Sequence, residues 1–389
     1  MITIQYLEAS PDLRALDPDD VVAHLNAACA CLPIDALLIG WDLPPLLLRA
    51  CAEEAQRHQI PLYRWHPLLT SDGGLALRAE WMTIGARGEP VPGFLGMPEF
   101  TFVCPNNPDA RTAVLARLQD FRQGGIYQGI FLDRMRWPSP AADPIGALAC
   151  FCPHCQAKAA AQGIDLEAQR RQVLALDGDP VLVRELLGRG TGLLAPLQRF
   201  RNQSITSIVS EAAAAAHALG FAVGLDGFSP ALTPLVGQEL GVLSSRADWT
   251  KIMSYGHTLG PAGLPFELLG LADWLVARCG LEERTALQAL AAACDLPLPE
   301  TRALLRSRGL SAPALATEVH RAMGLGIKPV LFGIELVELP GVAELQATQI
   351  RADLAAIYAA KPDGLALSWD LRFIPSERLA LVRASWLEQ

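Results

Sequence analysis

Carboxylate side chains end several apolar runs of this sequence, where buried strands are predicted to stop. Asp133, Asp226, Glu335 and Asp370 all have this placement. Burying several carboxyl groups together raises some of their pKa values and costs stability, so such a set indicates a function. Glycoside cleavage needs two carboxyl groups, because one protonates the leaving oxygen while the other attacks the anomeric carbon or activates water. We take Asp133 and Glu335 as the first catalytic pair, with Asp226 as an acid or an orienting residue.

Other polar and aromatic residues stand at or just beyond predicted strand ends and are candidates for substrate binding. They are Trp41, Trp65, His66, Asn106, Arg136, Trp137, Tyr255, His257, Trp369 and Asp370. Tryptophan and tyrosine rings can stack on the C–H faces of a sugar, but they can equally pack the top of a protein core. The two histidines could orient a substrate, and a structural role within their loops is the alternative.

A cluster of cysteines follows the strand that ends at Asp133. Cys150, Cys152 and Cys155 form a C-x-C-x-x-C pattern, and closely spaced thiolates are typical of a structural zinc site. Cys104 is our predicted fourth ligand, because we place it on a neighbouring loop, and His154 is the alternative. Free or redox-sensitive thiols without a metal are the other interpretation. The spacing does not match iron–sulfur ferredoxins, and the predicted hydrolysis requires no cofactor.

Eight short apolar runs, separated by helical patterns, predict the fold. We place strands at Ala36–Trp41, Leu62–His66, Thr101–Cys104, Gly129–Asp133, Ala222–Asp226, Trp249–Ser254, Val330–Glu335 and Gly364–Asp370. Continuous apolar runs of this kind are typical of parallel strands buried on both faces. They predict one α/β domain over residues 1–389, a (β/α)₈ TIM barrel. The rival, a doubly wound sheet, usually has a glycine-rich loop after its first strand, where this chain has Trp41–Pro45.

The connections between these strands predict helices and three insertions. Helices are predicted over Pro44–His58, Asp109–Gln123, Arg201–Leu219, Glu283–Cys294, Leu315–Met323 and Glu344–Ala360, with Asp109 as an N-cap. Insertions are predicted at 71–99, at 137–199 with the cysteines, and at 256–325 as several short helices. All three follow strands, so we expect them on the C-terminal face of the barrel, around a substrate pocket.

Composition narrows the classes of partner. The 389 residues carry a net charge of −9 without a cluster of Lys and Arg, which argues against nucleic acid. We find no apolar stretch long enough for a transmembrane helix and no signal peptide in Met1–Asp20. The nine cysteines include several in helix-like segments, where free thiols are ordinary, so we expect a cytoplasmic protein.

Three segments resemble the hypothetical glycoside hydrolase families of TIM-barrel fold. Gly129–Pro138 is similar to their fourth-strand motif, in which an apolar run leads to an Asp, an Arg and an aromatic–Pro pair. Cys150–Cys155 resembles their cysteine-rich segment, and Asp248–Tyr255 their sixth-strand segment. The resemblance spans roughly 37–370, and it implies a catalytic role for Asp133. The second carboxylate, Glu335, rests on barrel geometry, and the helical insertion after Tyr255 departs from the family pattern.

Two other functions remain open. A barrel that binds a saccharide or a protein without catalysis is favoured if Asp133 and Glu335 lie far apart. A lyase or aldolase could use Lys251 as a Schiff-base residue, although a lysine paired with Asp226 or Glu335 explains it as well. The sequence lacks H-x-H after the first predicted strand, H-E-x-x-H, G-x-S-x-G and a P-loop, so the corresponding enzyme classes have no support.

Overall fold

Eight parallel strands close into a barrel in the computed structural model, which describes residues 1–94, 96–121, 125–188 and 190–388. The strands are β1 (Ile2–Tyr6), β2 (Ala36–Ile39), β3 (Leu62–Pro67), β4 (Gly129–Asp133), β5 (Ala222–Gly227), β6 (Trp249–Met253), β7 (Val330–Glu335) and β8 (Gly364–Ser368). Each pairs with the next in parallel, and β1 pairs with β8, which closes the barrel. The predicted (β/α)₈ TIM barrel is confirmed.

Two strand assignments change. The sequence analysis missed β1, a short run in which the polar Thr3 and Gln5 alternate with apolar residues and are nevertheless buried. The predicted strand Thr101–Cys104 is wrong. That segment lies in the connection between β3 and the next helix, where isolated antiparallel bridges join Phe102 to Thr70 and Val103 to Met82. Its apolar side chains are buried by loop packing, which the hydropathy pattern cannot distinguish from a barrel strand.

Helices surround the barrel and also lie on its C-terminal face. They are α1 (Pro18–Cys31), α2 (Pro45–Arg57), α3 (Pro108–Asp120), α4 (Pro153–Ala161), α5 (Leu166–Ala175), α6 (Val181–Leu187), α7 (Ala195–Ala218), α8 (Thr233–Val236), α9 (Leu240–Ser244), α10 (Leu264–Ala277), α11 (Glu283–Cys294), α12 (Arg302–Arg308), α13 (Ala312–Met323), α14 (Ala347–Ala359) and α15 (Ser376–Val382). Short 3₁₀ turns lie at Pro11–Ala15, Ala79–Trp81, Pro98–Phe100 and Leu371–Phe373, and a π turn at Arg383–Leu387. None of the described helices has the length and apolar character needed to cross a membrane.

The predicted helices are present, and the boundaries differ by a few residues. The helix predicted from Arg201 begins at Ala195, and the one predicted from Asp109 begins at Pro108. Asn107, rather than Asp109, caps α3, since its side chain accepts from two backbone N–H groups of the first turn. The predicted end of that helix, Gln123, lies outside the described residues.

The interior of the barrel is filled by large aromatic side chains in its lower half. Phe131 stacks on Trp249 with ring centroids 5.2 Å apart, and Tyr63 meets the same indole edge-on at 5.7 Å. Glycines make room for these rings, because a Cβ on Gly129 would lie 2.2 Å from the Tyr63 ring. This packed floor leaves the carboxyl ends of the strands for a cavity.

Helical segments follow two of the strands and lie beyond their carboxyl ends. Helices α4 to α6 fall within residues 137–199, between β4 and α7, and α10 to α13 within 256–325, between β6 and β7. Residues 71–99 follow β3 and carry the 3₁₀ turn Ala79–Trp81. The connection that begins after β6 supplies one wall of the cavity described next.

Candidate active site

A cavity of about 330 Å³ opens at the carboxyl ends of the strands. Its lining comes from β1, β3, β4, β5 and β6 and from the connections after β1, β3, β4, β6, β7 and β8. The lining residues are Gln5, Glu8, Trp65, Met97, Phe100, Asp133, Arg134, Arg136, Asp226, Met253, Tyr255, Thr258, Leu259, Gly260, Pro261, Ala262, Phe266, Val342 and Trp369. This is the face on which TIM-barrel enzymes hold their active sites.

Asp133 stands at the end of β4 with its carboxyl group fixed on both oxygens. The indole N–H of Trp65 donates to Oδ2 at 2.9 Å, and the backbone N–H of Arg134 donates to Oδ1. The chain turns sharply here, since Arg134 has a φ of 49°, in the left-handed region. The end of the strand and the turn after it therefore present the Asp133 carboxyl group to the cavity in one orientation.

Asp226, at the end of β5, forms a buried ion pair with Lys251 of β6. Nζ of Lys251 lies 3.0 Å from Asp226 Oδ2 and 2.9 Å from Gln5 Oε1. Burial raises the pKa of Asp226 to about 7, and repulsion from Asp133 adds to the rise while the Lys251 cation opposes it. The second oxygen, Oδ1, has no hydrogen-bond partner among the described residues. This oxygen is buried beside the cavity with its hydrogen-bonding capacity unsatisfied.

Glu8, two residues past β1, is the acidic residue that the sequence analysis missed. Its carboxyl group lines the cavity, and its backbone N–H donates to Asp370 at 3.0 Å. Burial raises the pKa of Glu8 to about 7; Arg134 opposes the rise, and Asp370 and Asp133 add to it. A recognisable signal existed, because Glu8 follows the apolar end of Ile2–Tyr6 as Asp133 follows its own strand.

The two arginines of the cavity are held by the protein itself. Arg134 forms an ion pair with Asp72 and lies over the ring of Phe100 at 4.2 Å. Arg136 is sandwiched between aromatic rings, with Phe228 at 4.6 Å, and burial lowers its pKa to about 10. These contacts hold the two arginine side chains in place. The carboxyl groups are therefore the groups of the site that can exchange protons with a substrate.

The structure brings about half of the predicted site residues together. Asp133, Asp226, Trp65, Arg136, Tyr255 and Trp369 line the one cavity. The others lie outside its lining: Glu335, Trp41, His66, Asn106, Trp137, His257 and Asp370. Tyr255 and Trp369 lie side by side in this lining, with ring centroids 6.2 Å apart.

Glu335 is placed in surroundings different from those of Asp133. Its Oε1 accepts the backbone N–H of His257, and the ring of His257 in turn bonds Asp353 of α14 at 2.9 Å. Burial raises the pKa of Glu335 to about 7 against the opposing effect of His257. The predicted Asp133–Glu335 pair is therefore not formed, because the connection after β6 takes up the Glu335 carboxyl group.

Three further predicted binding residues are packed into the protein. Trp41 meets Trp65 edge-on at 5.3 Å. Trp137 is fully buried, and its indole N–H donates to the Arg201 carbonyl. His66 is fully buried against Phe121, with ring centroids 5.0 Å apart, and burial keeps its pKa well below the ordinary value. These side chains support the site from outside the cavity.

The four predicted cysteine ligands converge on one buried point. The Sγ atoms of Cys104, Cys150, Cys152 and Cys155 all lie within 4.8 Å of one another. Cys104 reaches the cluster from the β3–α3 connection, at 3.6 Å from Cys152 and 3.4 Å from Cys155. These separations are too long for disulfides, and four thiolates at about 2.3 Å from a tetrahedral ion would lie about 3.8 Å apart. The cluster can hold a metal ion.

Hydrogen-bond donors and cations surround the sulfur atoms. Asn106 donates through its side chain to Cys155 at 3.3 Å, and the backbone N–H of Ile84 donates to Cys150 at 3.3 Å. The ammonium group of Lys158 bonds the Asn106 carbonyl oxygen at 2.8 Å. Asn106, predicted to bind substrate, thus contacts the cysteine cluster instead.

A fully buried guanidinium group lies beside the cluster. Arg201 donates to three backbone carbonyls, including that of Ala149 at 2.8 Å, and forms no ion pair with a carboxylate within the described ranges. Burial lowers the pKa of Arg201, and a thiolate at Cys150 would oppose that change. Four thiolates around a divalent ion carry a charge of about −2, which Arg201 and Lys158 would balance. The residues present thus fit a tetrathiolate metal centre.

A second, larger groove of about 590 Å³ lies on the outer surface near α7 and α9. Among the described residues that line it, Glu239 is the one carboxylate, and Arg199 the one cation. A single acidic group does not provide the pair that glycoside cleavage requires. The groove therefore does not compete with the barrel mouth as an active site.

Comparisons with known proteins agree with this architecture. No protein-family model and no curated protein sequence matches the chain. The PgaB (BpsB) glycoside hydrolase domain from Bordetella bronchiseptica is similar in structure, with a TM-score of 0.60, 13% identity and coverage of 100% of this chain and 99% of that one. The chain shares the TIM-barrel fold of that domain. An alpha-L-fucosidase from Paenibacillus thiaminolyticus superposes with a TM-score of 0.53 at 12% identity over 100% of this chain and 48% of that one.

Proposed function

We propose that this protein is a glycoside hydrolase that acts on a carbohydrate substrate at the barrel mouth. The observation that carries the proposal is the convergence of Asp133 and Asp226 on one cavity whose walls include Trp65, Tyr255 and Trp369. Carboxyl groups can carry out acid, base and nucleophilic steps at an anomeric carbon. Aromatic faces at the same mouth suit the apolar faces of sugar rings. The similarity to glycoside hydrolase folds supports the proposal.

Asp133 is the carboxylate that attacks the anomeric carbon or activates water. Its two N–H donors hold both oxygens in place, and such preorganisation lowers the cost of reaching the transition state. Asp226 supports it from the adjacent strand, where the ion pair with Lys251 anchors its carboxyl group. Lys251 is thereby occupied as the counter-ion of Asp226, which favours hydrolysis over Schiff-base chemistry at this lysine.

The test is the Asp133→Asn variant. Reducing-sugar release and mass spectrometry would measure turnover of chitin, cellulose and xylan oligosaccharides and of aryl glycosides. We expect the wild type to cleave one of these classes and Asp133→Asn to lose at least about 10³-fold in kcat/KM, with an unchanged thermal unfolding midpoint. Asp143→Asn, at an exposed carboxylate paired with Arg87, is the matched control and should retain activity. Wild-type turnover by Asp133→Asn would refute the catalytic role.

A saccharide-binding barrel without catalysis is the second candidate, favoured by the separation of Glu335 from Asp133. Isothermal titration with the same oligosaccharides distinguishes the two. Binding without product formation, unaffected by Asp133→Asn beyond a small change in affinity, supports the binding role. Products that appear with wild type and vanish with the variant support hydrolysis.

We also propose that the cysteine cluster holds a structural zinc ion. Cys104, Cys150, Cys152 and Cys155 would supply four thiolates, which is the usual ligand set of a closed, structural zinc site. The ion would connect the β3–α3 connection to the segment that follows β4, on the outer side of the active-site wall. The four cluster cysteines form no disulfide, which supports a reducing compartment such as the cytoplasm.

Metal analysis tests this assignment. We expect one zinc per chain in the purified protein and, after exchange for Co²⁺, the visible absorption typical of tetrahedral thiolate coordination. Cys152→Ser should lose the metal and lower the unfolding midpoint, whereas Cys29→Ser, at a half-buried cysteine of α1, should retain it. Protein purified under metal-replete, reducing conditions that contains no zinc would refute the proposal.

A further inference from the structure

We infer that Glu8 is the proton donor that works with Asp133 in the proposed hydrolysis. This inference rests on the proposed function and names the second catalytic group of the same site. The sequence analysis assigned that role to Glu335 or Asp226. Both have other partners in the structure, whereas Glu8 lies in the cavity with an unengaged carboxyl group.

The placement of Glu8 is the first support. It follows β1, and Asp133 ends β4, so the two residues reach the cavity from different sides of the closed barrel. A glycoside bond has to lie between its two carboxyl groups, one at the leaving oxygen and one at the anomeric carbon or its water. Glu8 and Asp133 line the same cavity from different strand ends, which leaves the space between them for a sugar.

The freedom of the Glu8 carboxyl group is the second support. Within the described residues, its oxygen atoms form no hydrogen bond and no ion pair, although the backbone on either side is well anchored. Asp226, by contrast, is tied to Lys251 at 3.0 Å, and this ion pair constrains the position of its carboxyl group. The Glu8 carboxyl group has no such partner, so it is better suited than Asp226 to give and take a proton.

The electrostatic environment is the third support. Burial in the cavity and the nearby carboxylates of Asp370 and Asp133 favour the protonated form of Glu8, against the opposing charge of Arg134. A general acid works best when its pKa lies near the operating pH, so a carboxyl group that remains partly protonated near neutrality is suited to the task.

The backbone on both sides of Glu8 is fixed by the end of the barrel. Asp370 accepts the N–H groups of Leu7 at 3.2 Å and of Glu8 at 3.0 Å, and Arg372 donates to the Glu8 carbonyl at 3.2 Å. Arg372 also bonds the Asp370 carboxylate at 2.7 Å. Asp370, predicted to bind substrate, is therefore a positioning residue for Glu8.

The step balances as a proton transfer coupled to bond cleavage. Glu8 gives its proton to the glycosidic oxygen, the bond from that oxygen to the anomeric carbon breaks, and the leaving sugar departs as an alcohol. Asp133 either forms the new bond to the anomeric carbon or takes a proton from the water that does so. In the first case a water molecule then releases the sugar and returns a proton to Glu8. In the second case Asp133 gives its extra proton to solvent, and Glu8 takes up a proton from solvent.

Leaving-group dependence tests the inference. Glu8→Gln should lose about 10²–10⁴-fold in kcat/KM on an unactivated oligosaccharide, because its oxygen needs protonation to leave. On a 2,4-dinitrophenyl glycoside of the same sugar, which needs no acid, the variant should stay within about tenfold of wild type. Asp133→Asn should lose both reactions. Glu8→Gln affecting both substrates equally, or neither, would overturn the assignment of the acid while hydrolysis itself stands.

Asp226→Asn is the comparison variant. Selective loss of the unactivated substrate in Asp226→Asn, and not in Glu8→Gln, would move the role to Asp226. A substrate-free measurement keeps the inference testable if the panel contains no substrate. Carboxyl ¹³C NMR should show Glu8 titrating near pH 7 and at lower pH in Asp133→Asn, since one repelling charge has gone. Titration of Glu8 near pH 4, as in an exposed Glu, would overturn the inference.

Discussion

Replacing Lys251 with methionine removes the counter-ion of Asp226 while retaining a side chain of similar length. Lys251 is fully buried, with Asp226 Oδ2 at 3.0 Å and Gln5 Oε1 at 2.9 Å as its hydrogen-bond partners. Gln5 keeps a second donor, the Ser368 hydroxyl at 2.8 Å. The main effect of Lys251→Met is therefore to leave the Asp226 carboxyl group buried without its cation.

The size of the effect depends on pH. The folded-state pKa of Asp226, about 7, lies above that of an exposed Asp, about 3.9, so folding stability falls as pH rises between these values and levels off above pH 7. In Lys251→Met the folded-state pKa is higher still, because the opposing cation is gone. The variant therefore continues to lose about 1.4 kcal/mol per pH unit above pH 7, where the wild type does not.

Urea unfolding of both proteins from pH 6 to pH 9 measures this difference. We expect the gap in unfolding free energy to widen by about 2 kcal/mol between pH 7 and pH 8.5, provided that the variant's folded-state pKa lies above that range. A gap that does not change with pH would show that the two side chains are not coupled as described.

Two further predictions concern side chains around the cavity. Burial lowers the pKa of His257, but the hydrogen bond to Asp353 outweighs this effect and the pKa is raised to about 9. The contribution of protonated His257 to folding stability is therefore complete below about pH 6.5 and is lost as pH rises through 9. The stability advantage of wild type over His257→Gln should accordingly shrink by about 3 kcal/mol across that window in urea unfolding; a constant advantage would contradict a charged imidazole. Trp65→Phe removes the N–H that bonds Asp133 and should lower kcat about tenfold with KM nearly unchanged, whereas Trp41→Phe should leave steady-state kinetics intact. Equal kinetics for the two variants would show that this hydrogen bond does not orient the carboxyl group.

Much of the barrel could be predicted from the sequence because its strands are continuous apolar runs. β1 escaped because Thr3 and Gln5 interrupt its hydropathy. Gln5 is nonetheless buried, since Lys251 and Ser368 satisfy its amide oxygen across the barrel. These partners are distant in sequence, and they become neighbours of Gln5 only when the barrel closes. From the sequence alone, a polar residue at such a position therefore suggests a loop. The prediction of a strand at Thr101–Cys104 was wrong for the opposite reason. Apolar residues indicate that a segment is buried, but they do not show whether it pairs with a neighbouring strand.

The directions of side chains in the candidate site also depend on contacts between residues that are distant in sequence. The sequence placed Asp133 and Glu335 correctly at strand ends, yet the direction of Glu335 is decided by a backbone N–H of His257, which belongs to a different connection. The case for sugar chemistry first rested on that pair. It now depends on Asp133 with Asp226 and Glu8, which share the cavity. The cysteine cluster was predictable because three of its four ligands are within six residues of one another.

The anchoring of Glu8 by Asp370 links the two extremities of the chain, 362 residues apart in sequence. A ribosome-bound intermediate that still lacks β8 has no partner for the N–H groups of Leu7 and Glu8, however well its central strands are formed. The same holds for a fragment shortened by proteolysis ahead of residue 364. The site therefore becomes competent only after β8 and the segment that follows it have been synthesised, because Asp370 in that segment fixes the backbone of Glu8.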